Sequence, residues 1–254
     1  MKISVLASGS SGNCYYVENK DDTILIDAGI SARQTINRLG ILGKSISKIK
    51  GIFITHEHSD HIRGAEILSK KFNIPVYGTK KTLAGNFSAC GKIINKIKNN
   101  ETIKIKSLLV KAFSKSHSAS DPVSFSVEAG KKLSVISDLG YGCKNVRERI
   151  ADSNFLCIES NHDLNMLESG PYPYYLKNWI KSNSGHLSNY QAGLLLLEHS
   201  PRKLKNILLV HLSETNNTPE LALNTVKSLI KERYDFSPNV LALAKGQISR
   251  LFVV

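Results

Sequence analysis

The sequence predicts an α/β fold built from two similar half-domains, with two sheets inside and helices outside. Three observations predict it. Short β-like apolar runs alternate with helical stretches along the whole chain. Each half opens strand-rich and then gains helices. Polar residues able to hold a metal recur just after the apolar runs, at the ends of the expected strands.

Ile3–Leu6, Cys14–Glu18 and Thr23–Ile26 read as three strands. A Ser/Gly/Asn loop, Ser8–Asn13, separates the first two, and Asp27-Ala28-Gly29 ends the third. Ser31 reads as the N-cap of a helix that stops near Gly40. Gly51–Ile54 is the next strand, and apolar residues at Ile62, Ala65 and Leu68 give helical spacing from Ile62 to Phe72. Val76-Tyr77 is a short strand, and Thr79 starts another helix. The second half supplies strands at Ile103–Ile105, Leu108–Ser114, Val123–Val127, Leu133–Ser137, Phe155–Glu159 and Ile207–Leu212. Its helices fall at Asn145–Ala151, Tyr174–Lys181, Ser188–Glu198 and Pro219–Tyr234, and Leu241–Ala244 and Ser249–Val254 close the chain as strands. With no linker, repeat or low-complexity tract, residues 1–254 are expected to form a single domain.

Hydrophobic residues make up 41% of the chain and charged residues 22%, the balance of an ordinary soluble globular protein. The formal net charge of +13 is unusual and favours a polyanionic partner, through field steering and counterion release. Part of it lies in the basic stretch Lys92–Lys98 and in Arg202, Lys203 and Lys205. Cys14, Cys90, Cys143 and Cys157 form no Cys-x-x-Cys pair and are too sparse for a disulfide framework, so reduced thiols and a cytoplasmic location are expected. The first apolar run is too short for a signal peptide, and no run has the length of a membrane span.

The chemistry is concentrated in Thr55-His56-Glu57-His58-Ser59-Asp60-His61. Four good metal-ligating side chains fall in one tight loop after an apolar strand. Imidazoles and carboxylates in such a loop can hold Zn, Mn or Fe ions and leave a position open for water. Asp27, His117, Asp138 and His211 each follow another β-like run, where a rigid scaffold can aim a side chain into a cleft. The Ser8–Gly12 loop reads equally as a hairpin connection or as a cradle of backbone amides for phosphate. Tyr172, Tyr174 and Tyr175 are either packing residues or a stacking surface for bases. His162 either lines the cleft or satisfies its own loop, and His199 reads as a favourable contact with a helix end.

The series Asp27, His56/His58/Asp60/His61, His117, Asp138 and His211 resembles the motif series of the metallo-β-lactamase superfamily, in order and along essentially the whole chain. That resemblance implies a four-layer αβ/βα sandwich, two mixed sheets flanked by helices, with the metals at one edge of the sheets. It implies one metal held by His56, His58 and His117, a second held by Asp60, His61 and His211, Asp138 as the bridge, and Asp27 supporting the ligand loop through hydrogen bonds. Ser8–Asn13, Glu159–Asp163, Gly185–Asn189 and His211–Asn217 further resemble the YycJ/WalJ type within the superfamily, whose members are described as 5′-to-3′ DNA exonucleases.

Two divalent ions (Zn, Mn or Fe) about 3.5–4 Å apart could share a hydroxide and clamp an in-line displacement at phosphorus. His186 is the expected proton donor to the leaving oxygen. Its segment is similar to the His-bearing helix start of the superfamily's tRNA-3′-processing nucleases, and Asp60 is the other candidate catalytic residue. The expectation is a metal-dependent phosphodiesterase acting on nucleic acid. DNA is favoured over RNA because the stretch from Asp138 to His211 leaves little room for an RNA-clamping insertion. The alternatives are an RNA-processing nuclease, or a hydrolase of thioesters or lactones on the same fold. Oligomeric state is left open, and no membrane partner is expected.

Overall fold

The computed structural model describes residues 1–254 except 86, 88–92 and 245; Cys90 and the first lysine of the basic stretch, Lys92, lie outside the described residues. The chain divides into two compact units. The first comprises Met1–Ser114, Ala119–Gly130 and Gly246–Val254, and the second Lys115–Ser118 and Lys131–Lys245.

In the first unit, β1 (Lys2–Ala7), β2 (Cys14–Asn19) and β3 (Asp22–Ile26) form an antiparallel meander. β4 (Ile49–Phe53), β5 (Val76–Thr79) and β6 (Ile94–Ile97) extend it in parallel, and β14 (Phe252–Val253) pairs antiparallel with β1. The resulting order is β14-β1-β2-β3-β4-β5-β6. Helix α1 (Ala32–Ile41) starts where its sequence says: the Ser31 hydroxyl accepts from the Gln34 N–H, and the Gln34 side chain caps back onto Ser31.

The helix expected over Ile62–Phe72 is broken into α2 (Ser59–Ile62) and α3 (Ala65–Phe72). Gly64 lies at the break. Its N–H donates to Ala28 O at 2.8 Å, a tertiary bond that competes with helix continuation. α4 (Lys80–Leu83) begins at the Thr79 cap. β6 is a strand where the sequence reads as a run of charge, and it lies at the sheet edge, where exposed lysine is at home. The core of this unit joins Leu6, Leu25 and Ile52 of the strands to Leu39 and Leu68 of the helices. β7 (Thr102–Ile105), β8 (Leu108–Ser114) and β9 (Val123–Ala129) form an antiparallel meander. Phe125 of β9 meets Phe53 edge-on at 5.5 Å.

In the second unit, β10 (Lys131–Ile136), β11 (Phe155–Glu159), β12 (Asn206–Val210) and β13 (Asn239–Ala242) run parallel. Phe155–Glu159 is buried at every position, as an apolar run in a parallel sheet requires. The helices are α5 (Lys144–Asp152), α6 (Leu164–Ser169), α7 (Tyr174–Lys181), α8 (Asn189–His199) and α9 (Pro219–Ile230). α6 has no counterpart in the sequence reading. α9 ends at Ile230, short of the expected Tyr234. Among the described residues no helix is long and apolar enough to cross a membrane.

Candidate metal centre

The first unit gathers Asp27, His56, His58, Asp60 and His61 at the C-terminal ends of the parallel strands β3 and β4, where open α/β sheets carry their sites. Asp27 follows β3 with φ +57°, a left-handed conformation uncommon for a residue with a side chain. Its carboxylate is fully buried and accepts from the Thr55 N–H at 2.8 Å, from the Thr55 hydroxyl and from His61 Nδ1 at 2.8 Å.

These bonds settle which ring atoms carry protons. With the Thr55 hydroxyl donating to Asp27, its lone pair faces His56 Nδ1 at 3.0 Å, so Nδ1 is the protonated nitrogen. His61 Nδ1 is protonated by the same logic. Both rings therefore keep Nε2 unprotonated, the form a metal ligand must have. Asp27 thus ties Thr55 and His61 together through hydrogen bonds.

Asn13 is the part of this half that the sequence reading missed. Its Oδ1 accepts from the Gly9 N–H at 3.0 Å, which fixes the amide. Its Nδ2 then donates to Asp60 Oδ2 at 3.2 Å and to His61 Nε2 at 3.1 Å. Gly9 and Gly12 spend their amides inside the loop, on Asn13 Oδ1 and Gly9 O. The loop's observed work is therefore to hold Asn13. Its residue type at the close of a Ser/Gly turn was the available signal.

Gly29 completes the packing, because a Cβ there would lie 1.6 Å from Asp60 O. Glu57, the remaining carboxylate of the His-rich loop, accepts from the Ser120 N–H at 2.7 Å and anchors the loop. His58 caps α2, and its Nδ1 lies 3.1 Å from His56 Nε2.

The second unit gathers His117, Asp138, His186 and His211. Asp138 and His211 follow β10 and β12 with φ +54° and +57°. Together with Asp27, three of the expected site residues thus hold a conformation whose cost points to a functional demand. Asp138, His186 and His211 each offer one ligand atom, all within 4.8 Å of one another. His117 Nδ1 donates to Gly185 O at 3.2 Å, and its Nε2 lies 3.9 Å from Asp138 Oδ1. Burial pulls the His117 imidazolium down to a pKa of about 4, so the ring is neutral at physiological pH.

Glu159, at the end of β11, is the counterpart of Asp27. Its Oε1 accepts from His186 Nδ1 at 2.6 Å and from His211 Nδ1 at 3.1 Å, while Oε2 accepts from the Leu139 N–H. Burial works to raise its pKa, but the His186 charge and hydrogen bond, with those of His211, hold it at about 2. His211 again presents Nε2. The sequence reading quoted Glu159 without giving it this role. The signal was the same one that marked Asp138 and His211, a polar residue closing an apolar strand.

His186 lies two residues before Ser188, the N-cap of α8, so Glu159 rather than the helix end holds it. The segments around it interlock. The Asn189 and Asn217 amides pair at 2.9 Å, Ser160 Oγ donates to Asn189 Oδ1 at 2.6 Å, and Asn161 Nδ2 donates to His211 O at 3.0 Å. His162 is 1% exposed, and burial lowers its pKa to about 4. His199 stays local, 3.5 Å from Glu198. Tyr172 donates to Thr215 Oγ1 at 3.3 Å, while Tyr174 and Tyr175 are exposed.

The family model of the metallo-beta-lactamase superfamily matches residues 7–85. Exodeoxyribonuclease YycJ of Bacillus anthracis is 36% identical over 92% of this chain and 90% of its own length. Exodeoxyribonuclease WalJ of Streptococcus pneumoniae is 32% identical over 94% of this chain and 95% of its own. Among solved structures, the metallo-beta-lactamase fold protein YhfI from Bacillus subtilis aligns with a TM-score of 0.72 at 15% identity, covering 98% of both chains. The fold class is accordingly α/β, two mixed sheets flanked by helices in the sandwich of this fold. The chain belongs to the metallo-beta-lactamase superfamily, beside its YycJ and WalJ relatives.

Proposed function

We propose that the protein is a metal-dependent phosphodiesterase that degrades DNA from a strand end in the 5′-to-3′ direction. The observation that carries this reading is the likeness, over nine-tenths of both chains, to a relative named as an exodeoxyribonuclease. The charge of +13 supports a polyanionic substrate and is unhelpful for a thioester or lactone.

The donor set fits divalent metals, since the Thr55 hydroxyl fixes His56 at Nδ1, Asp27 fixes His61 and Glu159 fixes His211, so that Nε2 is the atom each ring would offer. His56, His58 and His117 would hold one ion, and Asp60, His61 and His211 the other, with Asp138 shared. Zinc, manganese and iron all suit these ligands. Bound, the two ions would lower the pKa of water and neutralise charge on the phosphate oxygens.

The chain's own residues do the rest. Asp27 and Glu159 hold the imidazoles in one tautomer. Glu159 takes His186 Nδ1, so Nε2 is the atom that passes a proton to the leaving 3′-oxygen. Asn13 steadies the Asp60 carboxylate, the second candidate catalytic group. Both units act as one domain in a cytoplasmic enzyme.

Digestion of end-labelled single- and double-stranded DNA and RNA, beside a generic thioester, tests the reading. Mononucleotides released from DNA 5′ ends are expected, with loss of release in His58→Ala. Faster cleavage of RNA or of the thioester would replace the reading, and turnover surviving His58→Ala would remove the metal role.

A further inference from the structure

Helix α7 carries an unusual surface. Tyr174 is 77% exposed, Tyr175 74% and Trp179 38%, so three large aromatic side chains of one eight-residue helix face solvent. Ile180 alone is buried there. Exposed apolar surface on this scale calls for an occupant.

Tyr175 and Trp179 are four residues apart and share one helix face. The Trp179 ring lies edge-on to the His186 imidazole, with centroids 5.5 Å apart and planes at 81°. That relation is fixed by backbone bonds. The His186 N–H donates to Ile180 O at 2.8 Å and the Ser182 N–H to Trp179 O at 3.0 Å. Gly185 packs so close that a Cβ would lie 2.2 Å from Trp179 O. The indole and the expected proton donor are thus held by the same turn, the rigid support that a positioned site needs.

We propose that Tyr175 and Trp179 form a stacking ledge for an unpaired nucleobase of the strand being degraded, placing its phosphate at His186. The inference rests on the phosphodiesterase reading and names how that site holds its substrate. A base lies one sugar away from its phosphate, so a strand presented to His186 brings a base to the neighbouring indole. Stacking is sequence-tolerant, because every base has a π-face, and this suits an enzyme that removes nucleotides one after another. The charge of +13 favours an anionic strand over an apolar protein surface as the occupant.

The chain contains one tryptophan, so its emission reports on this ledge alone. The experiment titrates metal-loaded protein with a fluorescein-labelled, phosphorothioate-protected single-stranded DNA, following anisotropy for binding and indole emission for stacking. Emission is expected to quench in step with anisotropy. An abasic site scanned along the first nucleotides should abolish the quench at one position. On a cleavable strand, Trp179→Ala should raise KM about tenfold or more, the order expected for one stacked base, with Trp179→Phe restoring most of it. Tyr175→Ala, at an exposed side chain, should raise KM in the same direction and guards against a folding defect at Trp179. Binding by anisotropy with unchanged emission overturns the inference and leaves the nuclease reading standing. So does an emission change that follows protein concentration without DNA, which would make a second copy of the chain the occupant. Absence of binding to DNA and RNA alike overturns both.

Discussion

Replacing Glu159 by Gln keeps the size of the side chain and removes its charge. The carboxylate now accepts three N–H groups: His186 Nδ1 at 2.6 Å, His211 Nδ1 at 3.1 Å and the Leu139 amide. A glutamine has one oxygen and one NH₂ for those three donors. In one orientation NH₂ faces the Leu139 N–H, and a buried donor goes unmatched at a cost of about 1–3 kcal/mol. In the other it faces both imidazoles, which must move their protons to Nε2 and surrender the lone pair through which His211 is proposed to hold a metal. Loss of such a supporting partner lowers metal affinity about 10–100-fold. Misplacing His186, the proposed general acid, removes a further factor of about 10²–10⁴ in rate. Competition with a chelating dye, turnover at saturating metal and thermal denaturation separate these effects. Expected are weaker metal binding, turnover at least about 100-fold lower with metal saturating, and a melting temperature lower by several degrees at about 2–4 °C per kcal/mol. A folded Glu159→Gln protein with metal affinity and turnover within twofold of the parent would refute the reasoning.

Gly29→Ala places a methyl where Asp60 O already stands, 1.6 Å away, so the turn must move; a stability loss of about 1–3 kcal/mol or more in urea titration, together with weakened metal binding, is expected. His186→Ala should lower turnover about 10²-fold or more while leaving metal content by elemental analysis unchanged, because its expected role is proton donation. Glu18 tests the electrostatics away from the site. Its side chain is 8% exposed and meets Lys44 Nζ at 2.7 Å and the Tyr16 hydroxyl at 2.6 Å. Burial works to raise its pKa, but Lys44 and Tyr16 hold it below the ordinary 4.5. A lowered folded value stabilises the protein above the unfolded pKa, and the benefit is lost as pH falls through the folded one. Glu18→Gln should therefore cost about 1–2 kcal/mol at pH 7, with the gap to the parent closing below pH 4.5 in paired melts.

The strands and the clustering of the first unit's candidate ligands were legible because their signals are local. Ile24-Leu25-Ile26 and Ile207-Leu208-Leu209-Val210 are buried runs that stop at Asp27 and His211, and the His-rich loop declares its chemistry by spacing alone. Ser31 and Thr79 cap helices as their side chains suggest. What escaped depends on partners distant in sequence. Gly64 breaks a helix through a bond to Ala28, Asn13 reaches Asp60 and His61, and Glu159 gains its role only when β10, β11 and β12 align their ends. β6 was masked by lysine and asparagine that an edge strand tolerates. His186 enters the candidate site by resemblance, and the Glu159 carboxylate that holds its ring lies far from it in sequence.

The most direct test of the account is elemental analysis of purified protein alongside turnover on 5′-labelled DNA. It predicts two divalent ions per chain, fewer in Asp138→Ala, and activity that vanishes with chelation and returns with added zinc, manganese or iron. Undiminished DNA degradation by protein stripped of metal would contradict it.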